Sequence, residues 1–195
     1  MTAPPTWIQT LAQLLADTQV TDCQARSLGL EEGLTQSLER LKQVRATGHK
    51  VLVLGNGGSA AIAAHVQTDL AHSARIRAQV LHEPSLLTAQ ANDHGYEQAF
   101  RNLSELWVDS GDLMIAVSSS GRSPNILLAS AFSKERGCGL LTFSGFAPDN
   151  PLRTLGDLNF HVSSRAYGAV ESAHAVLLHQ LTDRLLESLS EGGHA

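Results

Sequence analysis

Two turns rich in glycine and serine set the frame for this chain: Gly55-Asn56-Gly57-Gly58-Ser59 and Ser118-Ser119-Ser120-Gly121-Arg122-Ser123. Each follows an apolar run, Val51 to Leu54 in the first case and Leu113 to Val117 in the second. Each then opens a stretch with helical spacing. Strands that hand over to helices in this way imply a parallel sheet with helices on both faces. The turns also carry chemistry. The first N–H groups of a helix lack intrahelical partners and bear partial positive charge, so they hold phosphate. Glycine lets the backbone approach an anion, and hydroxyls add short donors. Two such turns on one sheet point to a small phosphorylated ligand, because ligands sit outside the carboxyl ends of the strands in such sheets.

The rest of the chain extends this alternation. Residues from about 4 to 48 read as helical. Trp7, Leu11, Leu14 and Leu15 recur at helical spacing, as do Leu30, Leu34, Leu38 and Leu41, and Gly48 closes the second segment as a C-cap. An amphipathic pair of this kind packs on another subunit or on its own domain. The α/β core spans about 50 to 190. Strands are expected at Val51–Leu54, Ala78–Leu81, Leu113–Val117, Gly139–Phe143 and Leu158–Val162. Helices are expected over Ser59–His72, within Asp93–Leu106, and over Ser123–Arg136 and Val170–Leu189. Pro148 and Pro151 keep the stretch after Gly145 irregular. The whole, 1–195, reads as one domain, and the glycine-rich polar tail after Leu189 is expected to fray.

Composition narrows the classes. A formal charge of −5 argues against a broad nucleic-acid surface. The two cysteines, Cys23 and Cys138, make neither a disulfide framework nor a paired metal motif, and read as reduced thiols. No apolar run nears the length of a membrane span, and no secretory leader pattern stands at the start. A soluble, cytoplasmic protein with no membrane partner is the expectation.

Four further residues suggest a reactive centre. His65 and Asp69 are four apart on the helix opened by the first turn, so they share a face. Such a pair binds a metal ion, acts as acid and base, or forms a plain surface pair. On the last helix, Glu171 and His179 lie a little over two turns apart in an otherwise apolar segment. Polar groups there need partners, solvent or another subunit. Together the four make a set of two imidazoles and two carboxylates, which suits zinc or another divalent transition metal. His174 lies off that stripe by about 140° and reads as structural or as an interface residue. Arg122 either adds charge to the second turn or points to water. Asn92 and Asp93 precede Gly95-Tyr96 and read as a ligand loop, or as the N-cap of the next helix. The first turn is neither a Walker motif nor a dinucleotide fingerprint, since its glycine spacing fits neither.

Taken in order, these motifs resemble the sedoheptulose 7-phosphate isomerase (phosphoheptose isomerase) family of the sugar isomerase, or SIS, fold. The elements are Gly-Asn-Gly-Gly-Ser, His65-x3-Asp69, Asn92-Asp93-x-Gly95-Tyr96-Glu97, Ser-Ser-Ser-Gly-x-Ser and His174-x4-His179. The likeness runs over nearly the whole chain. It implies a flavodoxin-like sheet and a homotetramer with active sites between subunits. It implies conversion of sedoheptulose 7-phosphate to D-glycero-D-manno-heptose 7-phosphate through an enediol. By position, Asn56, Gly57, Gly58, Ser59, Asn92, Asp93 and Glu171 would contact the sugar, and Ser118, Ser119, Ser120 and Ser123 would hold its phosphate. His65, Asp69, Glu171 and His179 would fall on the zinc ligands, and Asp69 and His179 on the acid/base pair.

The chain also departs from that family. Asp69 stands where the family has Glu, and Glu171 where it has Gln. The family's Arg-Ile-Gln-Glu-like run is Ala169-Val170-Glu171-Ser172 here, and the segment between Asp69 and Asn92 is shortened. These differences keep two rivals in view: an isomerase of another phosphosugar, and a non-catalytic relative that senses a phosphosugar or binds a replication initiator. A third is an assembly protein with purely structural loops.

Overall fold

A computed structural model describes residues 6–192. Residues 4 and 5 of the expected first helix, and the end of the polar tail, lie outside that range. Seven strands form one sheet: β1 (Gln19–Asp22), β2 (Ser27–Leu28), β3 (Lys50–Gly55), β4 (Arg77–Val80), β5 (Leu113–Ser118), β6 (Gly139–Gly145) and β7 (Leu158–Val162). Their order is β2-β1-β7-β6-β5-β3-β4. Strands β7, β6, β5, β3 and β4 pair in parallel, while β1 runs antiparallel to β7 and to β2. The helices are α1 (Trp7–Ala16), α2 (Leu30–Thr47), α3 (Gly58–Thr68), α4 (Pro84–His94), α5 (Tyr96–Trp107), α6 (Pro124–Glu135), α7 (Leu152–Leu155) and α8 (Tyr167–Gly192).

Alternation along each central strand divides the core in two. Val51 and Val53 of β3, with Ile115 and Val117 of β5, face a cluster completed by α2, α3 and α8. Leu52 and Leu54, with Met114 and Ala116, face a second cluster with Phe100 and Leu103 of α5 and Ile126 of α6. This is the period-2 pattern of a sheet covered on both faces. Each of these fully buried side chains contributes about 2 kcal/mol through removal from water. Helix α8 is the main cover on the first face, through Val170, Ala173, Leu177, Leu178, Leu181 and Leu185.

In the order in which they occur, the five parallel strands β3, β4, β5, β6 and β7 lie 2-1-3-4-5, the flavodoxin-like arrangement. After β3 the chain steps outward to β4. After β5 it steps the other way, to β6. The crevice between these diverging connections is where such sheets bind ligands, and both glycine- and serine-rich turns open onto it.

Four elements differ from the sequence reading. The stretch expected to be helical contains the β1–β2 hairpin. Its turn is held by Asp22, whose Oδ1 accepts the N–H groups of Gln24 and Arg26, both at 2.9 Å. Strands this short carry no readable period, although Val20 is fully buried. Second, Asn92 and Asp93 belong to the last turn of α4, which starts at Pro84 with Glu83 accepting the Leu86 N–H. They neither cap α5, which has Gly95 at that position, nor form a loop. Third, the helix expected to run to His72 changes at Asp69 into a π turn, Asp69–Ser73, in which Ala74 N–H reaches the Asp69 carbonyl at 3.0 Å. The last helix is longer than expected, and residues 190–192 continue it.

The amphipathic N-terminal helices behave differently from one another. Helix α2 buries Leu34, Leu41 and Val44 in its own core. Helix α1 rests against α8 with no residue fully buried, and leaves Trp7 and Ile8 exposed. Among the described residues no helix is long and apolar enough to cross a membrane.

Candidate active site

The first turn needs its glycines. A β-carbon on Gly55 would overlap the Ser59 backbone, and Gly57 adopts φ +54°, which side chains other than hydrogen avoid. The result is a tight reversal that aims the start of α3 at the crevice, with Ser59 buried beneath it. The second turn is held from behind. Gly121 has φ +61°, and a β-carbon there would overlap the side chain of Asn150. Asn150 is itself fully buried, donating from Nδ2 to the Ala147 carbonyl at 2.9 Å and accepting the Arg153 N–H at 3.2 Å.

Between the turns lies a cavity of about 220 Å³, lined by Asn56, Gly57, Gly58, Ser59, Ser118, Ser119, Ser120, Ser123, Tyr167 and Glu171. The four serines expected to hold phosphate are thus brought together at the head of α6, whose N-cap is Ser123. Ser118 Oγ and Ser123 Oγ are 3.4 Å apart, and Ser120 Oγ accepts the Arg122 N–H at 3.2 Å. Ser119 Oγ is buried and has no hydrogen-bond partner among the described residues. A buried hydroxyl left unpaired costs free energy, so it is suited to a ligand oxygen. Arg122 does not line the cavity; its guanidinium pairs with Asp149 at 2.9 Å on the surface.

Asn56 and Asn125 bridge the two turns by a reciprocal amide pair. Asn56 Nδ2 donates to Asn125 Oδ1 at 2.9 Å, and Asn125 Nδ2 donates to Asn56 Oδ1 at 3.0 Å. Tyr96 at the start of α5 adds its hydroxyl, donating to Asn56 Oδ1 at 2.8 Å. Sequence reading missed Asn125, Tyr96 and Tyr167. Asn125 had a faint signal, a polar residue two positions into an otherwise apolar helix start. Tyr96 stood in the quoted Gly95-Tyr96-Glu97 motif without a role, and Tyr167 had no signal.

The second centre joins α3, the π turn and α8. Asp69 Oδ1 lies 3.6 Å from His65 Nε2, and Asp69 Oδ2 lies 3.5 Å from His179 Nδ1. The two imidazoles meet edge to face, with centroids 4.7 Å apart and planes at 73°. One ligand atom from each of the three residues falls within 4.8 Å of the others. Two imidazole nitrogens and one carboxylate oxygen converging in this way make a donor set that suits zinc. Glu171, the fourth residue of the set read from the sequence, does not converge with these three in the described structure. Its carboxylate lies over Gly58, where a β-carbon would overlap it, and so belongs to the serine cavity. The eight-residue spacing puts the two residues on neighbouring faces of α8, but it also separates them by about 12 Å along the axis. Asn92 and Asp93 do not line the cavity; both are exposed, with Asn92 Nδ2 donating to Asp93 Oδ1 at 2.8 Å. A π turn at Asp69 is a local widening often found at functional sites.

His174, expected to be structural or interfacial, is structural. It is fully buried, and its Nε2 meets the Ser144 carbonyl at 3.0 Å, so that nitrogen carries the proton and Nδ1 is bare. Burial pushes its pKa down to about 4, and burial with the nearby Arg153 charge does the same for His161. Both rings are neutral parts of a buried polar layer with Thr142, Ser144, Asn150 and Asn159, directly behind the second turn.

The SIS domain family matches residues 18–145. A phosphoheptose isomerase of Geobacter sulfurreducens is 33% identical over 181 residues, covering 88% of this chain and 93% of the relative. The chain belongs to the phosphoheptose isomerase family. A second member, from Pelobacter propionicus, is 34% identical over 151 residues, covering 73% of this chain and 78% of the relative. The structure of the phosphoheptose isomerase from Neisseria gonorrhoeae superposes with a TM-score of 0.75 at 27% identity, over 80% of this chain and 87% of that one. The sugar isomerase domain of a transcription factor from Sphaerobacter thermophilus shares the fold too, at TM-score 0.59 and 24% identity, over 96% and 94% of the two chains. The fold alone therefore does not separate enzyme from regulator; the sequence match places this chain with the isomerases.

Proposed function

We propose that this chain interconverts sedoheptulose 7-phosphate and D-glycero-D-manno-heptose 7-phosphate. One observation carries the reading. Helices α3 and α8 each bear a residue of the serine cavity near their start, Ser59 and Glu171, and a residue of the second centre further along, His65 and His179. The rises are about 9 Å on α3 and about 12 Å on α8. A cavity built for phosphate and a centre built for proton transfer are thus joined by two rigid rods, at the separation a long phosphosugar needs.

In this reading Ser118, Ser119, Ser120 and Ser123, with the α6 N-terminus, bind the phosphate and fix the far end of the substrate. Asn56, Gly57, Gly58, Ser59 and Glu171 meet the sugar. Asp69 takes the proton from C1 of the ketose; the electron pair forms the C1–C2 double bond, and the C2 carbonyl oxygen gains a proton to give the enediol. Return of a proton to C2, with loss of the C1 hydroxyl proton, gives the aldose. His179 moves the hydroxyl protons, and its contact with Asp69 sets its orientation. His65, Asp69 and His179, with Glu171 as the fourth member of the set, would hold zinc, which supplies polarisation of the carbonyl when bound. Asn92 and Asp93, exposed at the end of α4, would reach substrate across a subunit boundary.

The proposal includes a homotetramer in the cytoplasm. A groove of about 660 Å³ runs along α8 between Leu15, Leu30 and Val176 and has His179 on its wall. Trp7 and Ile8 of α1 are exposed as well, and the groove's wall at His179 borders the second centre.

The test is turnover of sedoheptulose 7-phosphate by purified protein, with added zinc and after chelation. Formation of an aldoheptose 7-phosphate that requires zinc supports the reading; phosphosugar binding without turnover overturns it in favour of a sensor. The second reading, an isomerase of a different phosphosugar, is not favoured by the relatives, which are phosphoheptose isomerases. A substrate panel in which another ketose phosphate turns over faster selects it.

A further inference from the structure

We propose that Asn125 is a positioning residue that makes Asn56 a donor-only contact for the substrate. This rests on the phosphosugar reading of the cavity and deepens it.

An amide side chain has two acceptor lone pairs and two N–H donors. Asn56 Oδ1 accepts from Asn125 Nδ2 at 3.0 Å and from the Tyr96 hydroxyl at 2.8 Å, so both lone pairs are taken. Asn56 Nδ2 gives one N–H to Asn125 Oδ1 at 2.9 Å. One N–H is left, and Asn56 lines the cavity. The side chain can therefore offer a ligand a single donor and no acceptor.

The orientation has an external reference. Asn125 Oδ1 also accepts the Ile126 N–H at 3.0 Å, one of the first-turn donors of α6 that lack intrahelical partners. A backbone N–H can meet only the oxygen end of an amide, so this bond settles which end of Asn125 is which. Asn125 is 2% exposed, so water does not compete. With Asn125 fixed, the reciprocal pairing fixes Asn56: its oxygen must face Nδ2 of Asn125, and its nitrogen must face Oδ1. The direction is passed from the backbone of α6 to Asn125, and from there to Asn56 on the opposite turn.

The consequence is discrimination at the crevice. A sugar hydroxyl or phosphate oxygen that presents a lone pair to Asn56 is accepted. A group that presents only an N–H or O–H at that point is refused. The same bridge sets the spacing of the two turns across the β3/β5 divide.

Asn125→Asp is the informative variant. It keeps an acceptor for Ile126 N–H and for Asn56 Nδ2, but turns the remaining donor into an oxygen that opposes Asn56 Oδ1. One of the two bridge bonds is thereby lost, and Asn56 is no longer held with its outward N–H toward the cavity. Calorimetric affinity for sedoheptulose 7-phosphate should fall at least about tenfold and KM rise in parallel, with kcat changed by less than about threefold. Equal affinity and KM in wild type and N125D overturn the inference, as does a loss confined to kcat. The side-chain amide signals of Asn56 in the unliganded wild-type protein give a second, ligand-independent measurement. One of its two protons should be protected from exchange and the other not, and equal exchange of both overturns the inference even if N125D fails to fold. Failure of wild-type protein to turn over the heptulose would instead defeat the isomerase reading, while the amide signals still decide the role of Asn125.

Discussion

The carboxylate of Glu171 lies so close over Gly58 that any β-carbon at position 58 would occupy its place. Gly58 begins α3 and has no need of positive φ, so alanine suits its backbone and does not weaken the helix. The only cost of Gly58→Ala is displacement of Glu171. The variant should keep or slightly raise its melting temperature while KM for the phosphosugar rises about tenfold. A variant with lower Tm and unchanged KM would show that Glu171 has no part in binding.

Ser119 makes the opposite kind of test. Its hydroxyl is buried without a partner among the described residues, and removing such a group relieves a cost of about 1 kcal/mol. Ser119→Ala should therefore be as stable as wild type or more so, measured by urea unfolding. Inorganic phosphate and phosphosugar should both bind it about tenfold more weakly, since the ligand loses a donor. Lower stability together with full affinity would mean that Ser119 serves the fold and not the ligand.

Much of this site was legible because its parts follow buried strands. Val51 to Leu54 and Leu113 to Val117 are apolar on both faces, and the glycine and serine runs after them leave few readings other than strand, turn and helix. His65 and Asp69 could be paired from helical spacing alone, since four residues is about one turn. Other parts were not legible. The β1–β2 hairpin is too short to show a period, and α4 buries none of its residues, so no hydrophobic face marks it. The separation of Glu171 from His179 is axial, and angular spacing does not reveal it. The Asn56–Asn125 bridge links residues 69 positions apart through side-chain amides alone, which no local pattern records.

Asp69 is the member of the second centre that touches both imidazoles. Asp69→Asn preserves its size and removes its capacity as a base. Turnover should drop by about 10³-fold or more with binding of phosphosugar nearly intact. His179→Ala should abolish turnover similarly. His65→Ala removes one of three convergent donors, and zinc content after dialysis should fall well below that of wild type. Near-normal turnover in both Asp69→Asn and His179→Ala would overturn the assignment of acid and base. Unchanged zinc content in His65→Ala would remove that residue from the ligand set.

The buried histidines behind the second turn make stability depend on acidity. Burial holds His174 at about 4, against its ordinary value of 6.5; it also holds His161 at about 4, where the Arg153 charge adds to the effect. Between pH 6.5 and pH 4 the unfolded chain binds protons at these two positions that the folded chain refuses. The stability that goes with keeping them neutral is thus complete above pH 6.5 and is lost as pH falls through 4. With each pH unit worth about 1.4 kcal/mol per group, a shift of this size in two groups makes the loss a large fraction of an ordinary domain's stability. The urea midpoint should stay level from pH 7.5 to about pH 6.5 and then fall steadily to pH 5, above the range in which carboxylates dominate. His174→Gln keeps an N–H for the Ser144 carbonyl but does not titrate, so it should flatten the dependence by about half. A wild-type midpoint that is flat from pH 7.5 to pH 5 would show that the two rings are solvated or paired in the folded state, contrary to their full burial.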